Sequence, residues 1–163
     1  MLATAYHETT FSFLPRSEAG KGRGYQYAQV FDVTDTHGIR GVAGKVYENV
    51  YYGRGYVQIT WDYNYKNLGK ALDIGDNLYI NPDSALEPDM AYQIMSFGMR
   101  HGRFTGKKLS DYITENNVDY FNARRIINGT DHATKIAEYA LSIECLLRLA
   151  ACSLSDLAKL KIR

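Results

Sequence analysis

Between Arg16 and Gly55 the chain carries eight of its fourteen glycines and almost no hydrophobic periodicity. A helix or strand needs an apolar face that repeats every 3.6 or every two residues. This tract offers neither, so it reads as a long loop region with room for one short hairpin. Loops of that length inside a compact domain are functional or disordered as a rule. The packed framework must come from the segments on either side.

Those segments are mostly helical in pattern. Residues 2–12 read as a helix with Leu2, Ala5, Tyr6 and Thr9 on one face, stopped by Pro15. The segment "YVQIT" (56–60) has the alternation of a short strand, which puts Gln58 and Thr60 on one face. Residues 62–72 read as a helix closing near Asp73 and Gly75, and Pro88 to Arg100 as another closed by Gly102. "KKLSDYI" and "VDYFNARRIING" read as shorter helices, the second ending at Gly129 as its C′ residue. Residues 133–151 give the longest helix, with Ile136, Tyr139, Ala140, Ile143, Leu146 and Leu147 in one stripe expected to face the core. The fold expected is mainly α with a small β element.

At 163 residues a single domain spanning 1–163 is the default, large enough for a substantial core. A net charge of +1 gives no basic stripe for a polyanion, although the Arg–Gly pieces at 22–24 and 53–55 sit among tyrosines as in some single-strand nucleic-acid binders. No apolar run approaches the ~18 residues of a membrane span, and the start "MLATAYHE" lacks a signal peptide's basic region. Cys145 and Cys152, seven apart in a helical pattern, would lie ~10 Å apart, beyond disulfide reach, and are expected as two buried thiols. "NGT" (128–130) fits a glycosylation sequon, which matters only in a secreted chain. Fourteen tyrosines against one tryptophan and six phenylalanines are unusual; their faces suit sugar rings as well as a half-buried core.

"HETTF" (7–11) resembles the start of a zinc-protease helix, but the second histidine would have to stand where Phe11 is. His37, His101 and His132 form no short ligand pair either. Glu8 then has another use. Hydrolysing a glycoside takes two carboxyl groups, one to protonate the leaving oxygen and one to act as base or nucleophile. Glu8 on an apolar-rich helix would be kept protonated by partial burial, whereas Glu18 in a wet glycine-rich loop would stay ionised. Gln58 and Thr60 could orient a water or sugar hydroxyls, with Asn64 one turn further on. A pair of surface carboxylates remains the alternative on these residues alone.

The segments "ATAYHETTFSF", "LPRSEAGKGRG", "YYGRGYVQITWDYNY", "NPDSALEPDMA", "GRFTGKKLSDYI" and "FNARRIINGTD" together resemble glycoside hydrolase family 19, the chitinases and, closer here, its phage and bacterial endolysin-type members. They occur in the family's order over residues 2–140, and the run from Tyr51 to Tyr65 is the most specific of them. The resemblance implies a bilobal, lysozyme-like α+β fold with the small β element beside the cleft. It implies Glu8 as general acid, Glu18 as the base that activates water, and Thr60 as a partner of that water. It further implies Gln58, Tyr63, Asn64 and Asn128 as substrate-binding residues. The family inverts the anomeric centre, so its carboxyl groups stand about 6.5–9.5 Å apart. Glu48, just before "YYGRG", is the alternative base.

The activity implied is hydrolysis of β-1,4 bonds in polymers containing N-acetylglucosamine: peptidoglycan first, chitin as the alternative, a glycan-binding remnant as the non-enzyme reading. Family members usually carry further helical sequence before the acid, so an N-terminal truncation is expected. Neither metal nor organic cofactor is expected, nor nucleic-acid binding or membrane insertion. A monomer is expected, made in the cytoplasm and acting at the cell wall after release by a holin or another export route.

Overall fold

A computed structural model describes residues 1–152. Residues 153–163, part of the single domain expected from sequence, lie outside the described residues. The architecture is mainly α with a small β element. Helix α1 is Leu2–Glu8; strand β1, Arg16–Ser17; strands β2, Val30–Asp35, and β3, Lys45–Val50; strand β4, Arg54–Gly55. Helices α2 (Asp62–Ala71), α3 (Asn77–Ile80), α4 (Pro88–His101) and α5 (Ala133–Ala151) follow.

Helix α1 is shorter than its apolar spacing suggests. It ends at Glu8 because the next residues form a Schellman closure, not because of Pro15. Thr10 turns into the left-handed region at φ 55°. Its N–H bonds His7 O, and the Phe11 N–H bonds Tyr6 O at 2.7 Å. The Phe11 ring packs on Tyr6 with centroids 5.1 Å apart, the apolar contact that accompanies such caps. Glu8 is therefore the last helical residue, held at a fixed corner.

The glycine-rich tract contains the expected hairpin, a full one. Strands β2 and β3 pair antiparallel from Val30↔Val50 to Asp35↔Lys45. Its turn is organised by Asp35, a buried side chain whose carboxylate accepts the N–H groups of Ile39 and Arg40 at 2.8 and 2.7 Å. Burial alone would raise its pKa, but the backbone donors of residues 37–40 outweigh it and hold the carboxyl below its ordinary range.

The strand expected at 56–60 is absent. Residues 54–55 form β4 instead, pairing with β1 as Arg16↔Gly55 and Ser17↔Arg54. The chain then folds back so that Arg54 and Ile59 bridge, with Gln58 at φ 52° in the turn between them. Two residues explain the break. Gly55 adopts φ +85°, and a Cβ there would lie 2.9 Å from Ala85 O. Arg54 is buried: it bonds Asp83 at 2.8 Å, donates to Val50 O, Tyr52 O and the Tyr65 hydroxyl, and lies over the Tyr52 ring. The second Arg–Gly piece is thus a buried clamp, not a nucleic-acid contact.

Tyr51, Tyr65, Leu78, Ile94 and Ile126 form the centre of the core, joined by α4 and the segments around α2 and α3. Helix α4 is closed by Gly102 in the left-handed conformation, as expected. Leu109–Asp111 and Asn122–Ile126 are single 3-10 turns rather than α-helices, and the second is capped by Ile127, not Gly129. Helix α5 has its expected bounds but not its expected burial. Ala133 and Ile136 are buried and Tyr139 packs edge-on against Tyr6, whereas Leu146 is 65% exposed and Leu147 is exposed with it. Its second half is half-buried at Ile143 and Glu144 and exposed from Cys145 to Ala151. Cys145 is correspondingly exposed and Cys152 half-buried, both as free thiols, where two buried ones were expected. Among the described residues no helix is long and apolar enough to cross a membrane.

Candidate active site

A cavity of about 400 Å³ opens at the C-terminal end of α1, lined by His7, Glu8, Val57, Gln58, Arg124, Ile127, Asn128, Asp131 and His132. It gathers Glu8, Gln58 and Asn128 from three regions separated by 50 and 70 residues in sequence. The closure of α1 points Glu8 here, the turn at 56–58 delivers Gln58, and the 3-10 turn at 122–126 brings Arg124 and Asn128.

Glu8 does not lie in the apolar surroundings expected of it. Its side chain is 18% exposed and its Oε1 accepts a 2.6 Å bond from Arg124 Nη1; the Arg124 side chain is only 4% exposed. Arg124 is fixed in turn by donation from Nε to Asp131 O at 3.1 Å. Among the described residues Glu8 Oε2 has no protein partner, which leaves that oxygen to the cavity. His7 sits beside the pair with its ring 4.9 Å from that of His132 and its Nδ1 buried without a partner among the described residues. Burial lowers the His7 pKa, with Glu8 opposing and Arg124, His132 and Lys135 reinforcing.

Glu18 is held on the other side of Gln58. Its N–H donates to Gly53 O at 2.7 Å, extending the β1–β4 pairing by one residue. Its Oε2 accepts the Gly53 N–H at 3.0 Å, and its Oε1 accepts the Tyr27 hydroxyl at 2.6 Å. Burial and the carboxylate together push the Tyr27 phenol well up, so it remains a proton donor to Glu18. Gly53 is what lets these groups meet. A Cβ there would lie 3.0 Å from Gln58 Oε1 and 3.3 Å from Glu18 Oε2. Gln58 in turn is locked by donation from Nε2 to Arg16 O and Gly55 O at 2.9 and 3.0 Å. Its amide oxygen thus lies against Gly53, as the Glu18 carboxylate does, while its side chain lines the Glu8 cavity.

The remaining residues singled out from sequence are spread more widely. Thr60 is half-buried, and its hydroxyl has no protein partner among the described residues; its carbonyl accepts the Asn64 amide at 2.9 Å. Asn64 lines a different cavity, with Asn67, Lys70 and Arg103. Tyr63 is exposed and stacks on Trp61. Asn128 caps its own turn by accepting the Gly129 N–H. Glu48 lies on the exposed face of β3, opposite Asp32, and does not line the Glu8 cavity. Arg124 and Tyr27 were not picked out from sequence. Arg124 stands inside the quoted "FNARRIINGTD", and two adjacent arginines ahead of a cleft asparagine could have marked it. Nothing local marks Tyr27 among fourteen tyrosines.

A larger cavity of about 500 Å³ lies between α1, α4 and α5, lined by Leu2, Met99, Ile136, Ile143 and Leu147 among others. Its carboxylate, Glu144, is bound by both Arg148 and the Tyr120 hydroxyl, so that groove offers no free acid–base pair. Among the described residues no group of three or more His, Cys, Asp or Glu is arranged to hold a metal ion.

The arrangement around Gln58 can do hydrolytic chemistry: one carboxyl with an oxygen open to a cleft, a second fixed by two donors, and amide and hydroxyl groups between and beside them. A family model described as chitinase class I, of glycoside hydrolase family 19, matches residues 1–100. A crystal structure of a chitinase C mutant aligns at 20% identity with a TM-score of 0.43, covering 84% of this chain and 69% of that one. No curated protein matches.

Proposed function

The chain belongs to glycoside hydrolase family 19, the class I chitinase family, and from that premise we propose that it is an inverting, endolysin-type glycosidase that cuts β-1,4 bonds of peptidoglycan. It is a glycosidase of polymers containing N-acetylglucosamine; the bond and polymer are the proposal. The observation that carries the assignment of roles is the position of Gln58. It lines the Glu8 cavity, and its amide oxygen and the Glu18 carboxylate both lie close against Gly53.

In this mechanism the Glu8 carboxylate, held by Arg124 at Oε1, first binds a proton from water on its free Oε2 and then delivers it to the glycosidic oxygen. A water held by Glu18 and Thr60 attacks C1 from the opposite face as the bond to the leaving sugar breaks, and Glu18 takes the water's proton. Gln58 and Asn128 bind the sugar at the scissile bond, with Tyr63 and Asn64 further along. Peptidoglycan is favoured over chitin because Glu18 stands in "LPRSEAGKGRG", the segment that resembles the endolysin-type branch. The enzyme would then act at the cell wall as a monomer, reaching it through a holin or another export route.

The test is digestion of purified peptidoglycan, and separately of chitin oligomers, by the wild type, Glu8→Gln, Glu18→Gln and Glu48→Gln, with fragments read by mass spectrometry. Peptidoglycan fragments from the wild type and Glu48→Gln alone support the reading. Loss of activity in Glu48→Gln, with Glu18→Gln active, would transfer the base to Glu48. Release from chitin only would make the substrate chitin. Retention on cell walls with no fragment from the wild type would leave a glycan-binding protein.

A further inference from the structure

Tyr25, Tyr27, Trp61 and Tyr63 form a continuous row. Tyr25 and Tyr27 stack with centroids 5.2 Å apart and planes 5° apart. Tyr27 meets Trp61 edge-on at 5.8 Å, and Trp61 overlaps Tyr63 at 5.9 Å and 27°. Two of these rings come from the glycine-rich loop and two from the entrance to α2, so only the tertiary structure makes the row.

The row does not serve the core. None of the four rings belongs to the buried cluster, and its ends are open, Tyr25 at 62% and Tyr63 at 51% exposure. Contiguous apolar faces left in water mark binding surfaces more often than packing. The backbone adds an independent sign. Trp61 sits at φ 70°, ψ 134°, a conformation that residues other than glycine avoid and that the surrounding fold must enforce. Here its N–H is held by Tyr51 O at 3.0 Å. The strain fixes the indole between Tyr27 and Tyr63 rather than against the core. Finally, the row touches the chemistry, since Tyr27 is both its second ring and the hydroxyl donor to Glu18 at 2.6 Å.

We propose that Tyr25, Tyr27 and Trp61 extend the contact of Tyr63 into a saccharide-stacking platform. It takes successive N-acetylhexosamine rings on the Glu18 side of the cleft, and Tyr27 is the positioning residue that ties the platform to Glu18. This rests on the reading of the chain as a glycosidase with Glu18 in its site. The ring faces that this row leaves open to solvent suit the C–H faces of pyranose rings. The platform binds but does no chemistry; Tyr27 fixes one carboxylate oxygen while the Gly53 N–H fixes the other.

Trp61 is the chain's one tryptophan, so its fluorescence reports the platform directly. The experiment titrates N-acetylglucosamine hexamer into the full chain carrying Glu8→Gln, and in a second arm peptide-free peptidoglycan glycan strands. Emission should change on saturation with at least one glycan, and the better of the two names the polymer. Tyr25→Ala and Tyr63→Ala should each weaken binding about tenfold, the worth of one lost aromatic face, while Tyr25→Phe binds as the parent does. In the otherwise wild-type chain, Tyr27→Phe keeps the ring and should leave KM within about twofold while kcat falls about tenfold, the effect of one hydrogen bond to a charged group. Circular dichroism checks that each variant is folded. Trp61 emission indifferent to both glycans, or unchanged affinity in Tyr25→Ala and Tyr63→Ala, overturns the platform. A Tyr27→Phe enzyme with unchanged kcat overturns the positioning role. Failure of the carboxylate roles is read separately, as persisting activity in Glu8→Gln and Glu18→Gln.

Discussion

Replacing Glu8 by glutamine should cost stability as well as activity. Arg124 is 4% exposed, and its Nη1 is bound to Glu8 Oε1 at 2.6 Å. Its other contact is a backbone carbonyl, Asp131 O. Glutamine is nearly isosteric and its carbonyl can still accept the hydrogen bond, but it brings no charge, so a buried guanidinium is left without its counterion. Breaking a fully buried ion pair costs ~3–5 kcal/mol. Glu8 is 18% exposed and opens on a cleft, so the lower range for a hydrogen bond to a charged group, ~1.5–3 kcal/mol, applies. For a chain of this length that lowers the melting temperature by roughly 4–9 °C. The assay is a double-mutant cycle by urea denaturation with Glu8→Gln, Arg124→Met and the pair. Arg124→Met alone strands a carboxylate near water and should cost less than Glu8→Gln; the double variant should recover ~1 kcal/mol or more of the summed loss. Additive losses, or a Glu8→Gln midpoint equal to the wild type, would refute the view that the Glu8 helix corner is held by this pair. The consequence for enzymology is that an inactive Glu8→Gln needs its folded fraction measured before the loss is assigned to proton transfer.

Three further outcomes are expected. Gly53→Ala places a methyl against Gln58 Oε1 and Glu18 Oε2, which must give by a few tenths of an ångström, so under the proposed roles glycan hydrolysis should drop several-fold while the urea midpoint changes little. A Cβ at Gly98 would enter the ring edge of Phe104, so Gly98→Ala should destabilise by ~1–3 kcal/mol, and Phe104→Leu in the same chain should restore part of it in thermal melts. Asp35 has a folded pKa below its ordinary value, so its contribution is complete above the unfolded pKa and lost as pH falls through the folded one. The gap in denaturation midpoint between wild type and Asp35→Asn should therefore be full at about pH 6 and close towards about pH 2; a gap that widens on acidification would contradict the hydrogen-bonded turn.

What the sequence determined was what local chemistry decides. Helices α2, α4 and α5 begin and end close to where their periodicity and the closing glycine or proline put them, because these signals act within one turn of backbone. The hairpin was legible only as a possibility, since glycines mark where a chain can turn and not which residues pair. The motif order likewise carried the family from the residues alone.

Tertiary structure decided the rest. "YVQIT" has the alternation of a strand but has no partner strand at that place; Arg54 is drawn into the interior by Asp83 and Tyr65, and the chain must fold back after Gly55, which turns Gln58 from a strand face into a cleft corner. The α5 stripe differs from the expected core because periodicity says which residues share a face, not whether another element covers it, and beyond Ile143 the described residues leave that face exposed. Glu8 was expected among apolar side chains because its own helix is apolar; its partner Arg124 lies 116 residues away, and no local pattern encodes a contact of that span. Tyr27 was one tyrosine among fourteen until folding set its hydroxyl against Glu18. Short-range backbone preferences are written in consecutive residues, whereas ion pairs, shared cavities and aromatic rows exist only once distant segments have paid their ordering entropy and met.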